Sequence, residues 1–286
     1  RSRLDTLFPP QEKQPDWQRV ACALASRSRF TLITGGPGTG KTRTVLRLLG
    51  LLQFQRMDTE PDRPLRIRLA APTGKAAARL GESISAEIDA LPLPESIRAA
   101  IPREVSTLHR LLGPRPGSRL FRHDRHNPLH ADLVVVDEAS MIDQELTARL
   151  LDALRPETTL VLLGDKDQLA SVEAGAVLGE LCKGADEGNY TAETIAWVAD
   201  ASGDDISAWK AKGDDLQQHI VKLRESRRFS AESGIGAFAE SVRLDDYPRA
   251  AALLDGDDDD IRRMPLRAAT DTRIDAAAAE GSHLSR

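Results

Sequence analysis

One lysine in this sequence stands where a triphosphate is commonly held. Gly35, then four residues, then Gly40, Lys41 and Thr42 give the spacing GxxxxGK[ST] inside FTLITGGPGTGKT. Glycines let the backbone turn tightly so that successive N–H groups point at phosphate oxygens, and a helix beginning near Lys41 adds its positive dipole end. The pattern predicts Lys41 on the β- and γ-phosphates and the Thr42 hydroxyl on Mg²⁺. Gly36, Pro37, Gly38, Thr39, Gly40 and Arg43 complete the predicted nucleotide-binding loop. A glycine turn between strand and helix with no ligand is the alternative.

A phosphate loop says only that a nucleotide binds. LVVVDEAS at 133–140 narrows the chemistry, because it ends an apolar run in two adjacent acids. Asp137 fits the magnesium-side carboxylate, and Glu138 fits a general base that orients and deprotonates an attacking water. Together they point to hydrolysis rather than transfer to a second substrate. Either acid taken singly could instead cap the helix that follows.

Such residues need stiff elements behind them. FTLIT (30–34), RIRLAAP (66–72), LVVVDEA (133–139) and TLVLLGD (159–165) read as buried parallel strands, and helical patterns follow at 41–52, 75–88 and 144–154. Strands alternating with helices predict an α/β fold, a parallel sheet covered on both faces, with ligands at the carboxyl ends of the strands. The stretches 91–102, 113–130 and 184–213 read as surface connections or insertions. DGDDDD at 255–260 lacks the spaced ligands of a calcium loop and reads as a solvated acidic turn.

Composition sets the outer limits. A chain of 286 residues with 41% hydrophobic and 29% charged residues is an ordinary globular composition, with length for about two domains. No apolar run approaches the ~20 residues that cross a bilayer, so no membrane partner and a cytoplasmic location are expected. Cys22 and Cys182 stand alone and are expected to be small buried residues rather than a zinc site or disulfide. The formal charge of −5 leaves room for a narrow nucleic-acid groove. The missing initial methionine and the alanine-rich tail suggest part of a longer chain.

After GGPGTGKT come, in order, APTGKAAARL (71–80), STLHRLL (106–112), DEAS and GDKDQL (164–169). This series resembles the motifs of superfamily 1 DNA helicases. With DWQRVA (16–21) and LASVEAGAVLGELC (169–182), it resembles their RecD branch, the alpha subunit of exodeoxyribonuclease V, over about 17–238. The resemblance implies a RecA-like first motor domain that binds ATP and Mg²⁺ and hydrolyses ATP to translocate on single-stranded DNA. It also implies RecB-like and RecC-like partner subunits and a place in exonuclease and recombination-repair assemblies.

Residue by residue, the resemblance puts Gln18 on the adenine edge and Gln168 between the γ-phosphate and the DNA groove. Arg228 in LRESRRF matches the arginine that reaches the transition-state charge, with Arg227 beside it as the competing position. Lys41, Glu138, Gln168 and Arg228 are thus the expected catalytic set. Thr73, Lys75, Thr107 and His109 fall in the segments that hold single-stranded DNA. The two threonines could equally be helix caps, and His109 a packed residue. Arg79 and Arg110 are as readily solvated helix arginines. Aromatic residues make up only 4%, so DNA would be held by its backbone, independently of sequence.

The family pattern fades after Phe238. The expected organisation is a first motor domain over 1–220 and the opening of a second over 221–286, without its TxHxxQG-like segment or second arginine motif. Stepping needs two domains that close on the nucleotide, so the isolated chain is expected to bind ATP weakly and turn it over poorly. A phosphate-loop ATPase without translocation, or an idle nucleotide-binding fragment, remain the alternatives.

Overall fold

The structure, a computed structural model, describes residues 1–9, 15–118, 120–168, 177–225, 233–256 and 261. The first elements are α1 (Ser2–Leu7), α2 (Trp17–Arg27), β1 (Phe30–Thr34) and α3 (Lys41–Thr59). Next come β2 (Ile67–Ala71), α4 (Gly74–Glu87), α5 (Glu95–Ala99), β3 (Ser106–Thr107) and α6 (Leu108–Leu112). They are followed by β4 (Leu133–Val136), α7 (Gln144–Asp152), β5 (Thr159–Gly164), α8 (Val177–Leu181), α9 (Ala192–Ala201) and β6 (Ile220–Lys222). A second compact unit, Phe229–Arg286, contains α10 (Gly234–Arg243) and α11 (Tyr247–Leu254), the first unit being Arg1–Arg228.

The strands make one six-stranded sheet in the order β3-β2-β4-β5-β1-β6, with every pairing parallel. Alternation along each strand sends neighbours to opposite faces. Leu133 and Val135 of β4, with Val161 and Leu163 of β5, join the apolar layer under α1 to α4. Val134, Val136, Leu160 and Leu162 join the opposite layer, under α6, α7 and α8. Side chains of this kind contribute about 1.5–3 kcal/mol each when fully buried, so both layers hold the strand ends in register. The expected α/β sheet covered on both faces is present.

Two short strands escape the reading from sequence. β3 has two residues and β6 three, too few to show a period of two. Helix α3 runs to Thr59, beyond the expected 52. The expectation of a surface connection at 184–213 is overturned in part. It contains α9, and Tyr190, Val198 and Ile206 are buried in the main apolar layer. The Tyr190 hydroxyl donates to the Ile220 carbonyl at 2.8 Å, and Trp209 meets Trp17 edge to face with centroids 4.8 Å apart. Thr191 caps α9 by accepting from the Thr194 N–H. Gly184, Gly188 and Gly203 take positive φ and Asn189 joins them at 52°, so sharp turns interrupt the apolar pattern of this stretch.

In the second unit Ser233 caps α10, Asp246 caps α11, and the two helices pack on each other. Among the described residues, no helix is long and apolar enough to cross a membrane. Cys22 and Cys182 are both buried, as expected, and burial pushes both thiols up, Cys182 to about 12.

Candidate nucleotide and strand site

The phosphate loop is the turn from β1 to α3. Gly38 and Gly40 have φ of 77° and 81°, the left-handed region that side chains disfavour. Gly40 caps α3 without any side-chain hydrogen bond, so the first-turn N–H groups of a 19-residue helix face the loop. Space in front of Gly36 is open: a Cβ there would meet nothing within 4 Å. Gly35 is the reverse, its Cβ falling 2.7 Å from Thr39 Oγ1 and 3.1 Å from the Leu223 carbonyl oxygen. The loop is thus packed from behind and open in front.

Lys41 curls over this cradle. Its ammonium donates to the carbonyls of Gly35 at 2.6 Å and Gly36 at 3.1 Å. Thr39 donates its hydroxyl to the Gly36 carbonyl at 2.9 Å. Gln18, 4% exposed on α2, donates from Nε2 to the Thr39 carbonyl at 3.0 Å. Its Oε1 is buried without a hydrogen-bond partner, an acceptor still waiting for a donor such as a purine amine. Thr42 is half-buried at the start of α3, and Arg43 is exposed beside it.

The acid pair follows β4, two strands away. Asp137 donates its backbone N–H to the Ala70 carbonyl at 3.0 Å, which aligns the end of β4 with β2. Its carboxylate accepts the Glu138 N–H at 2.9 Å. Burial pushes the Asp137 carboxyl above its ordinary range; the Glu138 N–H bond and the charges of Lys41 and Arg79 pull it back, while the Glu138 charge adds to the rise. Glu138 itself has φ of 52°, a strained setting for a residue with a side chain. Helix capping falls instead to Asp143, which accepts from the Leu146 N–H at 2.7 Å. The capping alternative for the acid pair is therefore not realised.

Between these strands lies β5, with GDKDQ at its end. Gly164 is pressed against the acid turn, since a Cβ there would sit 2.9 Å from the Ser140 nitrogen and 2.4 Å from Leu178 Cδ2. The Lys166 N–H donates to Thr34 Oγ1 at 3.0 Å, tying this turn to the end of β1. Gln168 Oε1 accepts from the Ser140 hydroxyl at 2.9 Å. Ser140 is the residue that the motifs do not single out, whereas Arg79, weighed as a solvated helix arginine, is exposed and acts on Asp137 through its charge. Ser140 lay inside the quoted DEAS, but a bond to a side chain 28 residues on has no local signature.

The β2 and β3 ends carry the other candidates. Ala71 pairs with Thr107, so the two turns lie side by side. Thr73 caps α4 by accepting from the Ala76 N–H, and Thr107 caps α6 by accepting from the Arg110 N–H, both at 3.2 Å. Each hydroxyl keeps its own proton to donate. Thr73, Lys75 and His109 are exposed, and His109 stands edge-on to Phe121 at 5.7 Å. His109 is thus exposed and at the same time set against the Phe121 ring. Arg228, with Arg227, lies outside the described residues.

Among the described residues no cluster of three metal-ligating side chains exists. One hydroxyl and one carboxylate, Thr42 and Asp137, suit a magnesium ion that takes its remaining ligands from phosphate and water. With the open cradle and the orphaned Gln18 acceptor, the donor set fits a magnesium nucleotide.

Known proteins show similar chains. The RecBCD enzyme subunit RecD of Haemophilus influenzae is 46% identical over 249 residues, covering 84% of this chain and 37% of that protein. The RecBCD enzyme subunit RecD of Mycolicibacterium smegmatis is 46% identical over 238 residues, covering 83% and 37% respectively. The ATP-dependent RecD2 DNA helicase of Deinococcus radiodurans is 39% identical over 157 residues, covering 55% of this chain and 18% of that one. The chain spans little more than a third of the length of the RecD relatives it matches. A family model described as an AAA domain matches residues 18–174, the stretch that holds Gln18, the phosphate loop, the acid pair and Gln168, and the chain belongs to that family.

Proposed function

We propose that this chain is the first motor domain of an ATP-dependent DNA helicase of the RecD type, with the opening of a second motor domain after it. It hydrolyses ATP to translocate on single-stranded DNA, in a cytoplasmic exonuclease and recombination-repair complex with RecB-like and RecC-like subunits. One observation carries this reading. The strand bearing Gln168 lies between the phosphate-loop strand and the acid-pair strand, and the next two strands bring Thr73 and Thr107 to the same edge of the sheet.

In this reading Lys41 leaves the Gly35 and Gly36 carbonyls for the terminal phosphates, and the loop N–H groups hold the remaining oxygens. Thr42 and Asp137 would hold a magnesium ion, which would supply charge neutralisation to the bound nucleotide. Glu138 orients the attacking water and accepts its proton. Ser140 holds the Gln168 amide beside the acid turn, so a shift there reaches both sites. Arg228 supplies a positive charge to the transition state. Gln18 receives the base amine on its free oxygen.

Thr73, Lys75, Thr107 and His109 grip the phosphate backbone of single-stranded DNA, without reading bases. The test is ATP hydrolysis and filter binding with and without single-stranded DNA over a salt series. The expected outcome is nucleotide binding that depends on Lys41, single-stranded DNA binding that weakens steeply with salt, and low turnover for the chain alone. Nucleotide binding without any single-stranded DNA binding would falsify the motor reading and leave a plain ATPase. Robust strand separation by this chain alone would overturn the expected need for the rest of the second domain.

A further inference from the structure

Three cations converge on one turn beside the Gln168 motif. Lys166, within that motif, pairs with Asp186 at 2.7 Å and with Asp167 at 2.5 Å. Lys222, the last residue of β6, pairs with the other oxygen of the same Asp186 carboxylate. Arg224 donates to the Asp186 carbonyl at 2.8 Å and to the Ala185 carbonyl at 3.3 Å. Its guanidinium stacks 4.7 Å above Trp17, the neighbour of Gln18, and 5.2 Å from Trp209.

The geometry is specific about what each contact ties down. The side chains of Lys166 and Lys222 are only 15% and 14% exposed, so neither charge is well solvated, and Asp186 balances both from a position 42% exposed. Burial opposes the charge on Asp186, yet the two lysines outweigh it and hold the carboxyl at about 2, so it is ionised at neutral pH. Lys166 has a second acid in Asp167, whereas Asp186 is the one acid paired with Lys222 among the described residues. Loss of the Asp186 charge therefore leaves the Gln168 turn neutralised and strands Lys222. The strand end at stake is next to the phosphate loop: Thr34 pairs with Lys222, and the Leu223 N–H donates to the Thr34 carbonyl at 2.7 Å.

We propose that Asp186 is a positioning residue that locks the Gln168 turn to the segment leaving β6, so that nucleotide at the phosphate loop is felt at 222–225. This inference rests on the nucleotide reading above and adds a residue that no motif contains. Residue 225 leads on toward Arg228 and the second unit. The lock thus stands where the first domain hands its chain onward.

Amide hydrogen exchange on the whole chain, with and without magnesium and a slowly hydrolysed ATP analogue, tests it. In the unsubstituted protein, the analogue should slow exchange at 36–42, 165–168 and 222–225. Asp186→Asn should keep the slowing at 36–42 and lose it at 222–225, and Asp186→Glu should restore it. Wild-type slowing at 222–225 in Asp186→Asn overturns the proposal. No slowing at 36–42 even in the unsubstituted protein overturns the nucleotide reading instead. The lock is then judged without ligand, where Asp186→Asn must speed exchange at 222–225 but not at 36–42, and equal rates end it. Should Asp186→Asn not fold, Lys222→Met gives the same decision, because it leaves Asp186 paired with Lys166.

Discussion

The ends of β1, β4 and β5 and the ends of β2 and β3 belong to one parallel sheet, yet they present their side chains in opposite ways. At the first three, Gln18, Thr39, Lys41, Ser140 and Gln168 bond to the loops themselves, and Gly164 is packed against backbone. At the other two, Thr73, Lys75 and His109 are exposed, and a Cβ on Gly74 would touch nothing within 4 Å. Inward pairing fixes one geometry, which a compact charged ligand with a reacting atom requires. An open row of hydroxyls and cations suits a polymer backbone whose position must change.

The contrast can be broken most directly at Lys41. Lys41→Ala should lower nucleotide binding or turnover by about 100-fold or more, while the thermal midpoint barely moves. Titration of a fluorescent ATP analogue beside a thermal melt checks both. A large fall in the midpoint would make the lysine a structural brace of the loop.

One substitution type then tests the two regions against each other. Gly164→Ala must displace Leu178 and the Ser140 backbone and should cost about 1–3 kcal/mol in urea unfolding. Gly74→Ala, at the open first turn of α4, should stabilise by about 0.4–1 kcal/mol. Equal signs would erase the distinction between a packed and an open end of the sheet.

Smaller effects sharpen it. Thr107→Ala removes the α6 cap and should cost about 1 kcal/mol, with Thr107→Ser close to the parent in the same unfolding assay. The smallest expected shift is at Asp137. Its carboxyl is raised by burial, so the folded state holds the proton more tightly than the unfolded chain does, and stability falls as pH rises from the ordinary carboxylate range to the raised value. Asp137→Asn should therefore be the more stable protein at pH 7, with the difference gone below about pH 4. Melts across that range decide it, and equal stability at pH 7 would mean that the buried charge is already compensated.

Legibility followed distance along the chain. The phosphate loop, the acid pair and the four longer strands were readable because their signals are contiguous: a glycine spacing, two adjacent acids, runs of buried β-branched residues. Thr73 and Thr107 were readable as two things at once, and the structure shows both as caps with a hydroxyl proton to spare. Gln18 was placed by resemblance, and only the fold shows its amide turned onto the Thr39 carbonyl. The partial burial of 184–213 is not readable, because Tyr190 and Trp209 find their partners, Ile220 and Trp17, far along the chain.

The amino-acid order alone carries the signal for the proposed chemistry, since a glycine-lysine loop and a paired acid are local devices that depend on residue type and spacing. It also determined that a parallel sheet must carry them. Only the tertiary structure decided which strand ends became neighbours. It inserted β5 between the phosphate-loop strand and the acid-pair strand and brought Asp186 against lysines from two other segments. The physical reason is that strand order and ion pairing between distant segments follow from how the two apolar layers close over the sheet, a long-range condition that no short stretch of sequence encodes.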